Sequence, residues 1–180
     1  MAETLMIPEK GSDPLVEAAE RALDETRVVA GREYLAALSR LGLDPDVLCW
    51  VFDADHDEMQ LAIVTTMAER VDSLSIYKLL FRAYDAAATP REIDPFIVSV
   101  YAPGSNFGVT LRRHLGGMAK RGTFTTQDLA ARFAMTKTGA SGRLVVPGKG
   151  VYVASDGHRS AVEDLKRFQH FQHRVRALAA

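Results

Sequence analysis

The strongest constraint on the fold is a change of hydrophobic period in the middle of the chain. Before it, Leu15, Ala19, Ala22, Thr26 and Val29 recur at helical spacing, with Leu35, Leu38 and Leu41 continuing after a phase shift near Gly31. Then Val47–Phe52 (VLCWVF) is a continuous apolar, β-prone run. Asp53–Glu58 forms an acidic break, and Met59–Thr66 is apolar again. Two such runs separated by a short polar turn predict a β-hairpin. An isolated hairpin is marginal in water, so the helices around it must supply the faces against which it packs.

The spacing fills in the remaining elements. Ser12-Asp13-Pro14 predicts a helix start, because Pro is preorganised for a first turn and Glu17 complements the helix dipole. One long bent helix or two abutting ones follow, closed by Gly42 and the turn Asp44-Pro45-Asp46. Leu74, Tyr77, Lys78, Phe81 and Tyr84 predict another helix, and Phe96–Tyr101 a third strand ended by Pro103-Gly104. From Phe107 the chain reads as helical and basic, with Leu111, Leu115 and Met118 as its buried face. A last amphipathic helix begins near Ser160, its stripe built from Val162, Leu165, Phe168, Phe171, Val175 and Leu178. That stripe either packs on its own domain or pairs with a copy of itself. The expected class is α+β: an N-terminal domain of helix and three-stranded sheet over residues 1–106, then a basic domain over 107–180.

Charge divides along the same line. Residues 1–110 hold 9 Lys/Arg against 19 Asp/Glu, and residues 111–180 hold 13 against 4, so the overall −1 is a cancellation. A basic segment of this kind points to an anionic partner, most often nucleic acid. The single cysteine, Cys49, excludes an intrachain disulfide and a multi-thiolate zinc site. The N-terminal stretch MAETLMIPEKGSDP lacks the basic and apolar regions of a secretory signal, and no run of 18 apolar residues occurs. A reducing, cytoplasmic setting without membrane insertion is the expectation.

Residues 124–145, FTTQDLAARFAMTKTGASGRLV, carry a more specific pattern. Thr125 with Asp128 has capping-box spacing, and Leu129, Ala130 and Phe133 recur as one inner face. Met135 fits a turn, Thr136 a second cap, and Ala140 and Leu144 a second inner face. The segment resembles the winged helix-turn-helix domains of bacterial transcription regulators, and GKGVYVAS within 142–155 is similar to the wing found in abortive-infection-type antitoxins. The resemblance covers about residues 107–155. It implies a recognition helix presenting Thr136, Lys137, Thr138 and Ser141 to base edges, with Arg143 pairing guanine or phosphate. It also implies Lys149 at a wing tip, with Arg112, Arg113, Lys120 and Arg121 as phosphate contacts. Duplex DNA is then the expected partner of a non-enzymatic regulator or antitoxin-like protein. The acidic half would bind a protein partner, and the terminal helix would form a homodimer.

Two alternatives stand beside this reading. Gly139 and Gly142 each cost about 1 kcal/mol inside a helix, which suits a protein-interaction adaptor whose winged helix does not contact DNA. PGSNFG (103–108) joins a strand to a helix, so a small-molecule or nucleotide enzyme would place its site at Gly104, Ser105 and Asn106. No catalytic set accompanies that turn, and no cofactor fingerprint occurs. The alternating Asp53, Asp55 and Asp57 read as a hairpin turn rather than a calcium loop, because Glu58 and Val64 stand where Gly and Glu are needed.

Overall fold

A computed structural model describes residues 14–119, 131–137, 140–154 and 159–178. Its first helices are α1 (Pro14–Ala22) and α2 (Glu25–Leu41). The break falls at Asp24, whose carboxylate accepts the Arg27 amide at 2.8 Å and so caps α2. The phase shift near Gly31 has a different origin from a break. A Cβ at Gly31 would stand 2.3 Å from the Tyr152 hydroxyl oxygen, so the bare backbone is where that ring docks. Gly42 ends α2 at φ 92°, a conformation that favours glycine, as its position predicts.

The hairpin follows as β1 (Val47–Asp53) and β2 (Glu58–Val64), antiparallel from Val47↔Val64 to Asp53↔Glu58. Its acidic turn is organised by Asp53, whose Oδ1 accepts the amides of Asp55 and His56 while Oδ2 lies 2.9 Å from His56 Nδ1. The turn thus satisfies its own polar groups, in agreement with the hairpin reading. A 3-10 turn (Thr66–Glu69) leads to α3 (Ser73–Asp85), which crosses back to β3 (Val98–Tyr101), parallel to β2. Helix α4 (Asn106–Ala119) comes next.

Beyond α4 the backbone departs from the helix-turn-helix expectation. Ala131–Lys137 is β4 and Ala140–Val146 is β5, paired antiparallel from Ala131↔Val146 to Lys137↔Ala140. The second helix expected from Thr136 to Leu144 is therefore a strand pair. Two physical reasons favour it. Gly142, Val145 and Val146 are weak helix formers, and the two valines fit a ladder. The second edge of β1 also needs a partner, because every residue of β1 is buried. The first expected helix falls largely on residues 120–130, outside the described residues.

That second edge is filled in two pieces. Leu144 and Val145 of β5 pair with Asp53 and Phe52, and β6 (Val151–Ala154) pairs with Cys49, Leu48 and Val47. Between them the 3-10 turn Gly148–Gly150 bulges past Trp50 and Val51. Among the described residues six strands form one sheet, ordered β3-β2-β1-β5-β4 with β6 also against β1. The expected division at 106/107 therefore does not separate two sheets, since strands from both sides of it share β1.

Alternation along β1 creates two cores. Leu48, Trp50 and Phe52 face one way with Leu61 and Ile63, under α1, α2, α3 and helix α5 (Ala161–Ala177). Val47, Cys49 and Val51 face the other way with Ala62 and Val64, under Phe107, Leu111 and Leu115 of α4. A strand buried on both faces reads as a continuous apolar run, which is the origin of VLCWVF. Burial among these side chains pushes the Cys49 thiol up to about 12. No described helix is long and apolar enough to cross a membrane.

Helix α4 sits on the sheet only because Gly108 is small. A Cβ there would lie 2.2 Å from the Ala102 carbonyl oxygen and 3.0 Å from Pro103 Cα, both backbone atoms. Helix propensity alone predicts that Gly→Ala stabilises by about 1 kcal/mol. Gly108→Ala should instead destabilise by about 2 kcal/mol, because backbone must move. Urea denaturation of the two proteins decides between the signs, and a gain in stability would contradict this packing.

Candidate nucleic-acid interface

The residues implied in DNA contact separate into three structural groups. Arg112 and Arg113 belong to α4, half-buried and exposed respectively, on the helix whose Leu111 and Leu115 enter the core. Lys120, Arg121 and Thr138 lie outside the described residues. Thr136 and Lys137 end β4, and Ser141 and Arg143 lie in β5, with Thr136 opposite Ser141 and Arg143 opposite Ala134. These positions are brought together by a strand ladder, not by one helix terminus.

The ladder is two-stranded over most of its length. Only Leu144 and Val145 of β5 pair with β1, so the rungs from Ala134↔Arg143 to Lys137↔Ala140 have no third strand among the described residues. From 129 to 155 the sequence holds Arg132, Lys137, Arg143 and Lys149 and no Asp or Glu. The result is a basic ribbon at the end of the sheet. A two-stranded ribbon has the dimensions that a DNA major groove admits.

Lys149 has an internal role that its sequence position does not announce. Its ammonium donates to the Glu20 carbonyl oxygen at 2.9 Å and lies 3.6 Å from the Glu20 carboxylate, while the Gly148 amide donates to Glu20 Oε1 at 3.1 Å. The expected wing tip thus clips α1 to the β5–β6 bulge. Tyr152 in β6 does similar work. Its hydroxyl donates to the Val28 carbonyl at 2.9 Å and receives the Trp50 indole N–H at 3.0 Å. Partial burial raises that phenol to about 12, so it stays a neutral donor.

The PGSNFG turn is likewise engaged inside the fold. Ser105 Oγ donates to the Ala102 carbonyl at 2.7 Å and accepts the Gly108 amide at 3.0 Å. The Gly104 amide is taken by Glu69 Oε1 at 3.1 Å, where an anion would otherwise sit. The cavity behind Phe107 holds about 10 Å³, the lower bound for one water. Ser105 therefore acts as a helix cap.

A buried ionic cluster escaped the sequence reading altogether. Asp46, fully buried, accepts from Arg159 Nη1 at 2.6 Å through Oδ1 and from the Thr66 amide at 2.9 Å through Oδ2. Thr66 Oγ1 donates to Asp164 Oδ1 at 2.6 Å, and Arg167 reaches Asp164 at 3.5 Å and the Asp44 carbonyl at 2.7 Å. The signal was present in the terminal helix. Asp164 lies at intervals of 4, 3 and 4 from Phe168, Phe171 and Val175, a carboxylate on the buried stripe. Burial raises the Asp46 carboxyl above its ordinary range, opposed by Arg159 and the Thr66 amide. Burial also lowers Arg167, with Arg159 adding repulsion.

Removing Arg159 should take the nearest cation from a buried carboxylate that still accepts the Thr66 amide. For a fully buried pair such a loss costs about 3–5 kcal/mol; Arg159 keeps 29% side-chain exposure, so about 2 kcal/mol is expected for Arg159→Ala at pH 7. With its cation gone, Asp46 keeps a still higher folded pKa, so its charged form is what destabilises the variant. The gap to the parent should therefore narrow as pH falls through the raised Asp46 range. Denaturant midpoints at pH 7 and pH 4.5 test this, and a gap that widens in acid would contradict the assignment.

Compared with known proteins, the chain matches no family model, no curated protein and no solved structure.

Proposed function

We propose that the protein is a non-enzymatic DNA-binding regulator or antitoxin-like protein that holds duplex DNA through the β4–β5 ribbon. The observation that carries this reading is the two-stranded ladder beyond β1, with Arg132, Lys137 and Arg143 and no carboxylate. Two-stranded β-ribbons are an established way of entering a groove, and cations on either side supply phosphate contacts. Arg112, Arg113, Lys120 and Arg121 precede the ribbon in sequence and suit that second role. The excess acid of residues 1–110 would repel DNA from the rest of the molecule and so orient the approach.

A protein-interaction role is favoured by a separate observation. Val162 and Leu165, one turn apart on α5, are 61% and 45% exposed, while Phe171 and Val175 of the same stripe are buried. The stripe thus divides, its second part packing on the chain's own core and its first part left open to a protein partner or a second copy.

Titration of the protein against a labelled duplex at several salt concentrations tests the first reading. Binding should weaken with a slope of about −0.9 per neutralised phosphate. In the Lys137→Ala/Arg143→Ala variant the slope should fall by about 2 units, roughly one per lost phosphate contact. Absence of binding at about 50 mM salt, where such contacts are strongest, would move the assignment to the interaction role.

A further inference from the structure

A groove follows α2 where α3 ends and α5 passes over it. Its larger part, about 660 Å³, has an apolar floor that includes Ala37, Leu41, Ala88 and Ala177. Arg40, His170, His173 and Arg174 surround that floor, and among the described residues no carboxylate lines it. It continues past Arg40, Ala87 and Ala88 into a recess of about 400 Å³ bounded by Thr89 and Pro90, with Glu33 also on its wall. The larger volume lies within the range of small-molecule sites, which combine mostly apolar walls with a few placed polar groups.

One buried polar group of the groove is not satisfied by the fold. Thr89 is buried, and its hydroxyl has no hydrogen-bond partner although it belongs to the recess. A buried hydroxyl left unpaired destabilises a fold, so its retention points to a partner that arrives from outside. Two of the surrounding side chains are fixed by contacts within the fold. Arg174 Nη1 donates to the Arg40 carbonyl, and the His170 ring lies so close to Gly42 that a Cβ there would meet it at 2.8 Å. Arg174 keeps further donors beyond that one bond, and both arginines stay charged at any physiological pH.

We propose that this groove binds a small amphipathic organic acid, its anionic head among Arg40, His173 and Arg174 and its apolar body over Ala37, Ala88 and Ala177. The charge selects an oxyanion, and the small side chains of the floor leave room for the apolar part. This inference stands apart from the DNA reading, since none of its residues belongs to the ribbon.

The probe is 8-anilinonaphthalene-1-sulfonate, whose fluorescence rises in apolar sites, titrated into the full-length protein beside the uncharged N-phenyl-1-naphthylamine. Saturable binding of one sulfonate probe is expected, at least tenfold tighter than the uncharged compound. Arg40→Gln/Arg174→Gln, which retains hydrogen-bonding amides, should weaken it at least tenfold, and Ala177→Trp should fill the groove and abolish it. Circular dichroism melts establish that each variant is folded. Equal binding of the two probes, no saturable binding, or undiminished binding by either variant would each overturn the proposal. Thr89→Val, nearly isosteric, should raise the melting midpoint by removing an unpaired hydroxyl. A lowered midpoint would overturn the assignment of an open polar contact.

Discussion

The second edge of β1 is the constraint on which the rest of the molecule depends. A strand with no exposed residue cannot leave its amides and carbonyls to water, so each edge must be paired within the chain. The hairpin supplies one partner locally. The other comes from residues 144–154, about 100 positions further along, and it comes as two half-strands joined by the Gly148–Gly150 turn. A bulge in that place re-aims the chain and makes room for Trp50, whose indole N–H then reaches Tyr152 and the Arg27 carbonyl. The basic half is thereby tied to the acidic half by main-chain bonds.

The position of α5 rests on a second, different kind of interaction. Phe171 and Val175 give it apolar burial, which is non-directional and tolerates sliding. Asp164, Arg159 and Arg167 remove that freedom, because each bonds a specific atom at the turn before β1 or after β2. Buried ion pairs contribute little net stability against apolar replacements, so geometric specification is the more economical account of this cluster.

Much of this architecture was legible in the chain because its signals are local. The hairpin, the end of α2 at Gly42, the helix α3, the third strand and the capped terminal helix all follow from period, caps and turn residues. The failures share a cause. Residues 131–146 carry a helix-like spacing of Phe133, Ala140 and Leu144, yet the open edge of β1 recruits the same residues as strands. Tertiary pairing overrode local pattern there, and Gly139 and Gly142 were the local warning. Lys149 read as a wing-tip contact and Arg159 carried no signal, because their partners, Glu20 and Asp46, lie more than 100 positions away. No window along the sequence contains both members of either pair.

The excess of positive charge after residue 111 is consequently two populations with different physics. Lys149, Arg159 and Arg167 are engaged by Glu20, Asp46, Asp164 and Asp44, so part of the charge split across the chain is an internal complementarity that closes the fold. Those cations add little to any external field, since opposite charges at contact distance largely cancel at longer range. Arg132, Lys137 and Arg143 lie in a stretch, 129–155, that contains no acid of its own. Attraction for an anionic polymer depends on such uncompensated local charge, not on net charge, which for the whole protein is −1. A near-neutral chain can therefore carry a locally basic stretch of sequence beside cations that its own carboxylates engage.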